Sequence, residues 1–337
     1  MTTWSASADR DGCEWGNTFR MKRAFVFPGQ GSQMVGMGSA LAAAFAPARR
    51  LFEEVDEALS QNLSRLMFEG PDDDLTLTEN AQPALMAASL AVIRVLETEG
   101  GLTLARDVAF VAGHSLGEYS ALAAARAVTV GDAARLLKVR GQAMQRAVPV
   151  GEGAMAALLG LDVERANAVA AEAAHDEIDP DEVCTVANDN APGQVVVSGH
   201  RGAVDRAIRI ARTRGTRAIT LPVSAPFHSP LMVPAAEVMK KALGQVALCP
   251  PVVPLVANVS ATATCDPSRI KRGLVEQVTA MVRWRESILF LKAAGVEEVF
   301  EIGAGRVLAG LVKRVDPNIS ARSIGMPADV EAVMKGF

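Results

Sequence analysis

Short apolar runs alternate with amphipathic stretches along most of the chain. Ala24–Phe27 and Val108–Ala112 are apolar runs of strand length, each followed by a glycine-bearing turn and then by helical periodicity. That order predicts a sheet of parallel strands buried on both faces, with helices packed over it. The pattern predicts an amphipathic helix over about 38–58 and a polar, turn-rich stretch over 60–80, with Pro71-Asp72-Asp73-Asp74 as a solvated loop. A long apolar helix runs from Gln82-Pro83 to about Glu97, with proline placed near its start. A further helix begins at Gly131-Asp132 and runs to about Arg146.

From about residue 149 the pattern changes. Ala154–Leu159 reads as a strand, 162–174 as a helix, and 183–188 as a strand. A turn at Ala191-Pro192-Gly193 follows, then a strand Gln194–Ser198, a helix over 201–214 and a strand Ala218–Val223. This β-α-β-β-α-β order is the ferredoxin-like split unit, here inserted into a larger α/β domain. Beyond it the pattern predicts a helix over 231–244, a buried strand Val252–Ala257, and helix over 268–294 with a break near Trp284. Val299–Ile302 reads as the last strand, and the final 20 residues as loosely packed. Residues 1–20 precede the first strand as an N-terminal extension, expected to be disordered or loosely docked. The expected division is therefore 1–20 as the extension, 21–148 with 223–337 as the large domain, and 149–222 as the small one.

Composition narrows the function classes. Half of the 337 residues are hydrophobic and only 4% aromatic, which suits an α/β chain with a buried sheet. A formal net charge of −4 argues against a nucleic-acid partner. Cys13, Cys184, Cys249 and Cys265 lie far apart, so neither a zinc site nor a disulfide framework is indicated, and they read as ordinary thiols in a reducing cytoplasm. No apolar stretch reaches the roughly 18 residues that span a bilayer. No membrane contact is expected, and a monomer is the default.

The chemistry centres on Gly113-His114-Ser115-Leu116-Gly117, where a strand turns into an Ala-rich helix. A serine on such a turn sits in a cramped backbone conformation with its hydroxyl at the tip, and glycines two residues either side remove colliding side chains. The amide of Leu116 points toward the same space, where a helix N-terminus favours an oxyanion. Ser115 needs a base. His114 adjoins it and should point away from the hydroxyl; His175 lies in a charged loop and His200 in the small domain, which leaves His228 in its proline-bounded loop. No carboxylate between 115 and 228 falls at a suitable strand end, so a dyad with the imidazole held by a neutral acceptor is the simpler arrangement. Arg140 has two readings, a surface salt bridge or a helix residue returning toward the serine. After the first strand, Gly29-Gln30-Gly31 lets a loop lie close to the strand end. It is not a dinucleotide fingerprint, because Met34 stands where the third glycine would fall.

Six segments then carry a resemblance: FVFPGQGSQ at 25–33, GHSLGEYSAL at 113–122, VRGQAMQRAVP at 139–149, NDNAPGQVVVSG at 188–199, PVSAPFHSPLM at 222–232 and EIGAGRVLAGLVKR at 301–314. In this order they resemble the malonyl-CoA:acyl carrier protein transacylases of bacterial fatty acid synthesis over about 21–325. The resemblance implies an α/β-hydrolase-like large domain with an inserted ferredoxin-like domain. It implies Ser115 as acylated nucleophile, His228 as its base, and Gln30 and Leu116 as backbone donors to the oxyanion hole. It also implies Arg140 as holder of the malonyl carboxylate and Gln277 as the residue whose backbone carbonyl orients the histidine. Gln82 and Asn190 match positions lining or bordering the cleft, and Phe227 belongs to a malonyl-type pattern. No metal or redox cofactor is implied. The partners are malonyl-CoA, CoA and an acidic acyl carrier protein carrying a phosphopantetheine thiol, with Arg212, Arg214, Arg217, Lys271, Arg272, Arg283 and Arg285 as possible contacts. A serine esterase or thioesterase would instead need a carboxylate beside His228 and no cation in the acyl pocket, and a non-catalytic carrier-binding module would need none of the three side chains.

Overall fold

Ten strands make two sheets in the computed structural model, which describes residues 22–175, 181–223, 225–334 and 336. They are β1 (Lys22–Phe27), β2 (Phe110–Gly113), β3 (Gly153–Leu159), β4 (Cys184–Ala191), β5 (Gln194–His200), β6 (Arg217–Thr220), β7 (Leu255–Val256), β8 (Ala263–Thr264), β9 (Val296–Ile302) and β10 (Ser320–Ile324). The larger sheet has the order β10-β9-β1-β2-β7-β8, parallel throughout except for the β7–β8 pair. Its central strands are apolar on both faces, in the Ala24–Phe27 run of β1 and throughout β2. Phe25 and Phe27 of β1 enter one core with helices Ala46–Leu59, Thr78–Thr98 and Val130–Ala147, while Ala24 and Val26 enter another with Trp284–Ala293 and Val307–Val315. The period of two is what lets a four-residue apolar run serve both layers.

Strand order reverses at β1, which has β9 on one side and β2 on the other. Loops leaving the carboxyl ends of such strands diverge to opposite faces and open a crevice there. The Gly29–Gly31 loop after β1 and the Ser115 turn after β2 both lie at that end.

The smaller sheet is antiparallel, ordered β4-β5-β3-β6, and carries helices Val163–Ala174 and Arg201–Thr213 over its own core. It is stitched to the larger layer along β4. Asn188 bridges Val282, the Asp189 N–H donates to Val282 O at 3.0 Å, and Arg285 Nε pairs with the buried Asp189 carboxylate at 2.8 Å.

Several expectations are corrected. The helix expected over 38–58 is two, Ser39–Ala44 and Ala46–Leu59, broken at extended Phe45, with Pro47 in the first turn of the second where its missing N–H has no intrahelical partner to lose. The expected acidic loop is a short helix, Asp72–Thr76, with three carboxylates in its first turn where the helix dipole favours them. The long apolar helix starts a turn early, at Thr78, so Pro83 falls inside it. Val252–Ala257 yields only a two-residue strand, since Pro250, Pro251 and Pro254 remove backbone donors. Val299–Ile302, expected as the last strand, belongs to β9 and is followed by another. β10 pairs with it in register, and the helix Pro327–Met334 buries Val330 beneath, so the tail is docked. Cys184 and Cys249 are free thiols, but Cys265 is disulfide-bonded, against the expectation of four ordinary thiols. The expected N-terminal extension, 1–20, lies outside the described residues. Among the described residues no helix is long and apolar enough to cross a membrane.

Candidate active site

β2 ends at Gly113 and the helix Gly117–Ala124 begins four residues later, so Ser115 makes the whole turn, at φ 53° in the left-handed region. The bracketing glycines are sterically required. A Cβ on Gly113 would sit 1.9 Å from the Gly117 carbonyl, and one on Gly117 would sit 2.2 Å from Phe27 O. The turn is thus pressed against the end of β1, where the His114 N–H donates to Phe27 O at 3.0 Å.

His228 comes from a loop 113 residues further along and is also left-handed, at φ 56°. Its Nδ1 lies 2.8 Å from the backbone carbonyl of Gln277 and its Nε2 lies 2.8 Å from Ser115 Oγ. A carbonyl only accepts, so Nδ1 carries the proton and Nε2 is left to accept from the serine hydroxyl. Burial, reinforced by the Arg140 cation, brings the His228 pKa down to about 3 and keeps the ring neutral.

Arg140, on the helix Val130–Ala147, is 1% exposed and turned inward. Its Nη1 donates to Gln82 Oε1 at 2.9 Å; its Nη2 donates to Gln277 Oε1 at 2.9 Å and to Ser115 Oγ at 3.1 Å. The Tyr119 ring lies 5.8 Å from the guanidinium carbon. Arg140 Nε has no acceptor among the described residues. Of the two readings of Arg140, the surface salt bridge is therefore excluded.

Gln30, Gln82, Ser115, Leu116, Arg140, Phe227 and His228 line one cleft with His114, Met144, Leu221 and Val223, and the small sheet adds Met155 and Asn188. Asn190 stands behind it, with Oδ1 2.8 Å from His114 Nε2. His114, expected to point away from the hydroxyl and support the turn, does support it through Asn190 and Trp284, yet its ring also borders the cleft. Among the described residues neither the Leu116 nor the Gln30 backbone N–H has an acceptor. No group of three or more His, Cys, Asp or Glu among the described residues could hold a metal ion. Three of the basic residues weighed as carrier contacts have acidic partners: Arg214 with Glu172, Arg283 with Glu286 and Arg285 with Asp189.

Sequence reasoning missed a polar layer behind the cleft. The Gln277 side chain donates from Nε2 to Ser115 O at 3.0 Å and to Glu118 Oε2 at 2.7 Å. Glu118 also accepts from the Asn258 N–H at 3.2 Å, and burial pushes its pKa up to about 7. Asn258 bonds the turn itself: Oδ1 accepts from the Ser115 N–H at 2.7 Å and Nδ2 donates to Gly113 O at 2.6 Å. The only signal available was a polar residue inside an apolar stretch, Glu118 early in an Ala-rich helix and Asn258 at a strand end.

The family model for the acyl transferase domain matches residues 24–332. The malonyl CoA-acyl carrier protein transacylase of Bacillus subtilis strain 168 is 45% identical over 315 residues, covering 93% of this chain and 96% of that protein. The solved acyl-carrier-protein-S-malonyltransferase of Bartonella henselae superposes with a TM-score of 0.90 at 54% identity, covering 94% of this chain and 99% of that one. A malonyl-transacylase solved in complex with its type II PKS acyl-carrier protein superposes with a TM-score of 0.89 at 39% identity, covering 94% and 100%.

Proposed function

The chain belongs to the acyl transferase domain family and is an acyltransferase, and from that premise we propose that it moves a malonyl group from malonyl-CoA to the phosphopantetheine thiol of an acyl carrier protein through a malonyl-serine intermediate. The observation that carries this reading is the convergence of Ser115 Oγ, His228 Nε2 and Arg140 Nη2 within 3.1 Å of the serine oxygen. In the first half-reaction the Ser115 proton passes to His228 Nε2 as Oγ adds to the thioester carbonyl carbon. The oxyanion is met by the Leu116 and Gln30 amides. Collapse breaks the C–S bond, and the imidazolium returns its proton to the departing CoA sulfur. In the second half the carrier's thiol gives its proton to Nε2 as its sulfur adds to the malonyl-serine carbonyl, and collapse breaks the ester C–O bond while Nε2 returns the proton to Ser115 Oγ, closing a ping-pong cycle.

Arg140 sets the acyl preference. Its Nε–H and the Nη2–H now held by Ser115 are available to a terminal carboxylate, and a planar guanidinium suits a paired contact with one. An acetyl group leaves the buried cation without that partner. A hydrolase reading would call for a carboxylate against His228 Nδ1, where the Gln277 carbonyl stands instead. The same proposal takes the six-stranded layer as hydrolase-like and 149–222 as a ferredoxin-like insertion, supported by the βαββαβ order of β3 to β6. The proposal includes supply of malonyl units to fatty acid synthesis, supported by the likeness to the malonyl CoA-acyl carrier protein transacylases.

The test is intact-mass analysis after incubation with malonyl-CoA, then with a carrier protein bearing its phosphopantetheine arm. A malonyl adduct should form on wild type, be absent in Ser115→Ala, and pass to the carrier. No adduct on the wild type would overturn the proposal.

A further inference from the structure

The parallel ladder between β2 and β7 pairs Val111 with Leu255 and Ala112 with Val256, then stops. Carried one repeat further, such a ladder would have the backbone N–H of residue 258 donate to Gly113 O and its backbone carbonyl accept from the Ser115 N–H. The backbone of Asn258 does neither. Its N–H goes to Glu118 Oε2, and its carbonyl accepts from the Arg283 N–H at 3.1 Å. The side chain supplies both missing bonds instead, Nδ2 to Gly113 O at 2.6 Å and Oδ1 from the Ser115 N–H at 2.7 Å. The amide has only one workable orientation, because Gly113 O can only accept and the Ser115 N–H can only donate.

Two consequences follow for the turn. A non-glycine residue at φ 53° is strained and persists only where its surroundings over-determine it, and Asn258 grips the turn at the Gly113 carbonyl and at the N–H of Ser115 itself. The Ser115 N–H is also committed to Asn258, which leaves oxyanion donation to the amides beyond it. Asn258 is itself fixed through Glu118, which holds the side chain of Gln277, whose carbonyl aims His228. Nucleophile and base are thus registered against one buried frame.

We propose that Asn258 is a positioning residue for acylation: its side-chain amide replaces the absent ladder rungs and holds Ser115 in the left-handed conformation that points Oγ at His228. This rests on the reading of Ser115 as the acylated nucleophile. The experiment is single-turnover labelling of the full chain by malonyl-CoA, followed by quench and intact mass, for wild type, Ser115→Ala, Asn258→Ala and Asn258→Asp. The aspartate variant keeps the volume and the acceptor for the Ser115 N–H but sets an oxygen against Gly113 O, so it tests the rung without opening a cavity. In both variants the rate constant at saturation should fall about 10–100-fold, the cost expected of a small misplacement. The malonyl-CoA concentration giving half that rate should stay within about twofold, because Arg140 and the cleft walls are untouched. A residue that merely stabilised the fold would lower the labelled fraction and leave the rate constant at the wild-type value, and that result in either variant sinks the proposal. Absence of labelling on wild type would instead sink the reading of Ser115.

Discussion

Arg140 donates from Nη2 to Ser115 Oγ at 3.1 Å, so a buried cation and the hydroxyl of the nucleophile turn are bonded to each other before any substrate arrives. The bond ties recognition to the reacting atom, because a carboxylate drawn to the guanidinium is delivered within reach of the serine. Arg140→Ala should therefore lower kcat/KM for malonyl-CoA by about 100-fold, the scale of losing a buried charged partner, while acetyl-CoA loses far less. Arg140→Lys should rescue little, since a lysine point charge cannot reproduce the fork that reaches Gln82, Gln277 and the substrate together. Rates of serine acylation with the two donors, measured side by side, decide this; equal losses for both would contradict it.

Gln277 acts through two separable parts. Its backbone carbonyl holds His228, and its side chain links Arg140, Ser115 O and Glu118. Gln277→Ala keeps the carbonyl and removes the link. The expected outcome is a fall of about tenfold in the preference for malonyl over acetyl, the scale of one hydrogen bond to a charged group. The thermal midpoint should fall as well, because Glu118 loses a donor. A Gln277→Ala variant with unchanged donor preference would show that the guanidinium needs no such support.

The glycines of the turn give a prediction about folding. A methyl on Gly117 meets the Phe27 carbonyl at 2.2 Å and one on Gly113 meets the Gly117 carbonyl at 1.9 Å, and in both cases the obstacle is backbone that cannot swing aside. Each alanine variant should lose at least about 2 kcal/mol in urea unfolding, in the range of overpacked cores. Gly310→Ala, where a Cβ meets nothing within 4 Å, is the control and should be near neutral. Equal stability of Gly117→Ala and Gly310→Ala would rule out the close approach of the two strand ends.

The nucleophile turn was legible in the sequence because everything it needs is local: an apolar strand, two glycines at fixed offsets and a helix. The small sheet was legible for the same reason, its elements following one another without interruption. Arg140 was ambiguous because helical spacing places it on a face without saying what that face meets, and only the packing of Val130–Ala147 beside Thr78–Thr98 turns it to the serine. Asn258, Glu118 and the side chain of Gln277 were invisible. Each is a single polar residue whose side-chain partners lie 137 or more positions away, and no periodicity encodes such a meeting. The tail was misread because β10 has an alternating edge pattern, Ser320 and Arg322 outward and Ala321 inward, which looks like loop composition until β9 is beside it.

His228 and Glu118 should tilt stability in opposite directions with pH. Burial and the Arg140 cation hold the His228 pKa at about 3, below its ordinary 6.5, so the unfolded chain takes up a proton that the native state refuses. Its contribution is whole above about 6.5 and drains away as pH falls toward 3. Glu118 is raised by burial from 4.5 to about 7, so the native state keeps a proton that the unfolded chain gives up. Its contribution is whole below about 4.5 and is lost as pH rises toward 7. Between 4.5 and 6.5 the two oppose each other and flatten the wild-type profile, and single variants separate them. Relative to wild type, Glu118→Gln should gain stability steadily from pH 4.5 to 7, and His228→Gln should gain as pH is lowered from 6.5 toward 3. The slope in urea unfolding is the readout, since lost hydrogen bonds add only a constant offset. The kinetic counterpart is that acylation should show no acid limb near pH 6.5, the imidazole being neutral and able to accept the serine proton well below it. An acid limb at 6.5 that vanishes in no other variant, or a slope of the wrong sign in Glu118→Gln, would mean that these groups are better solvated than the packing around Gln277 allows.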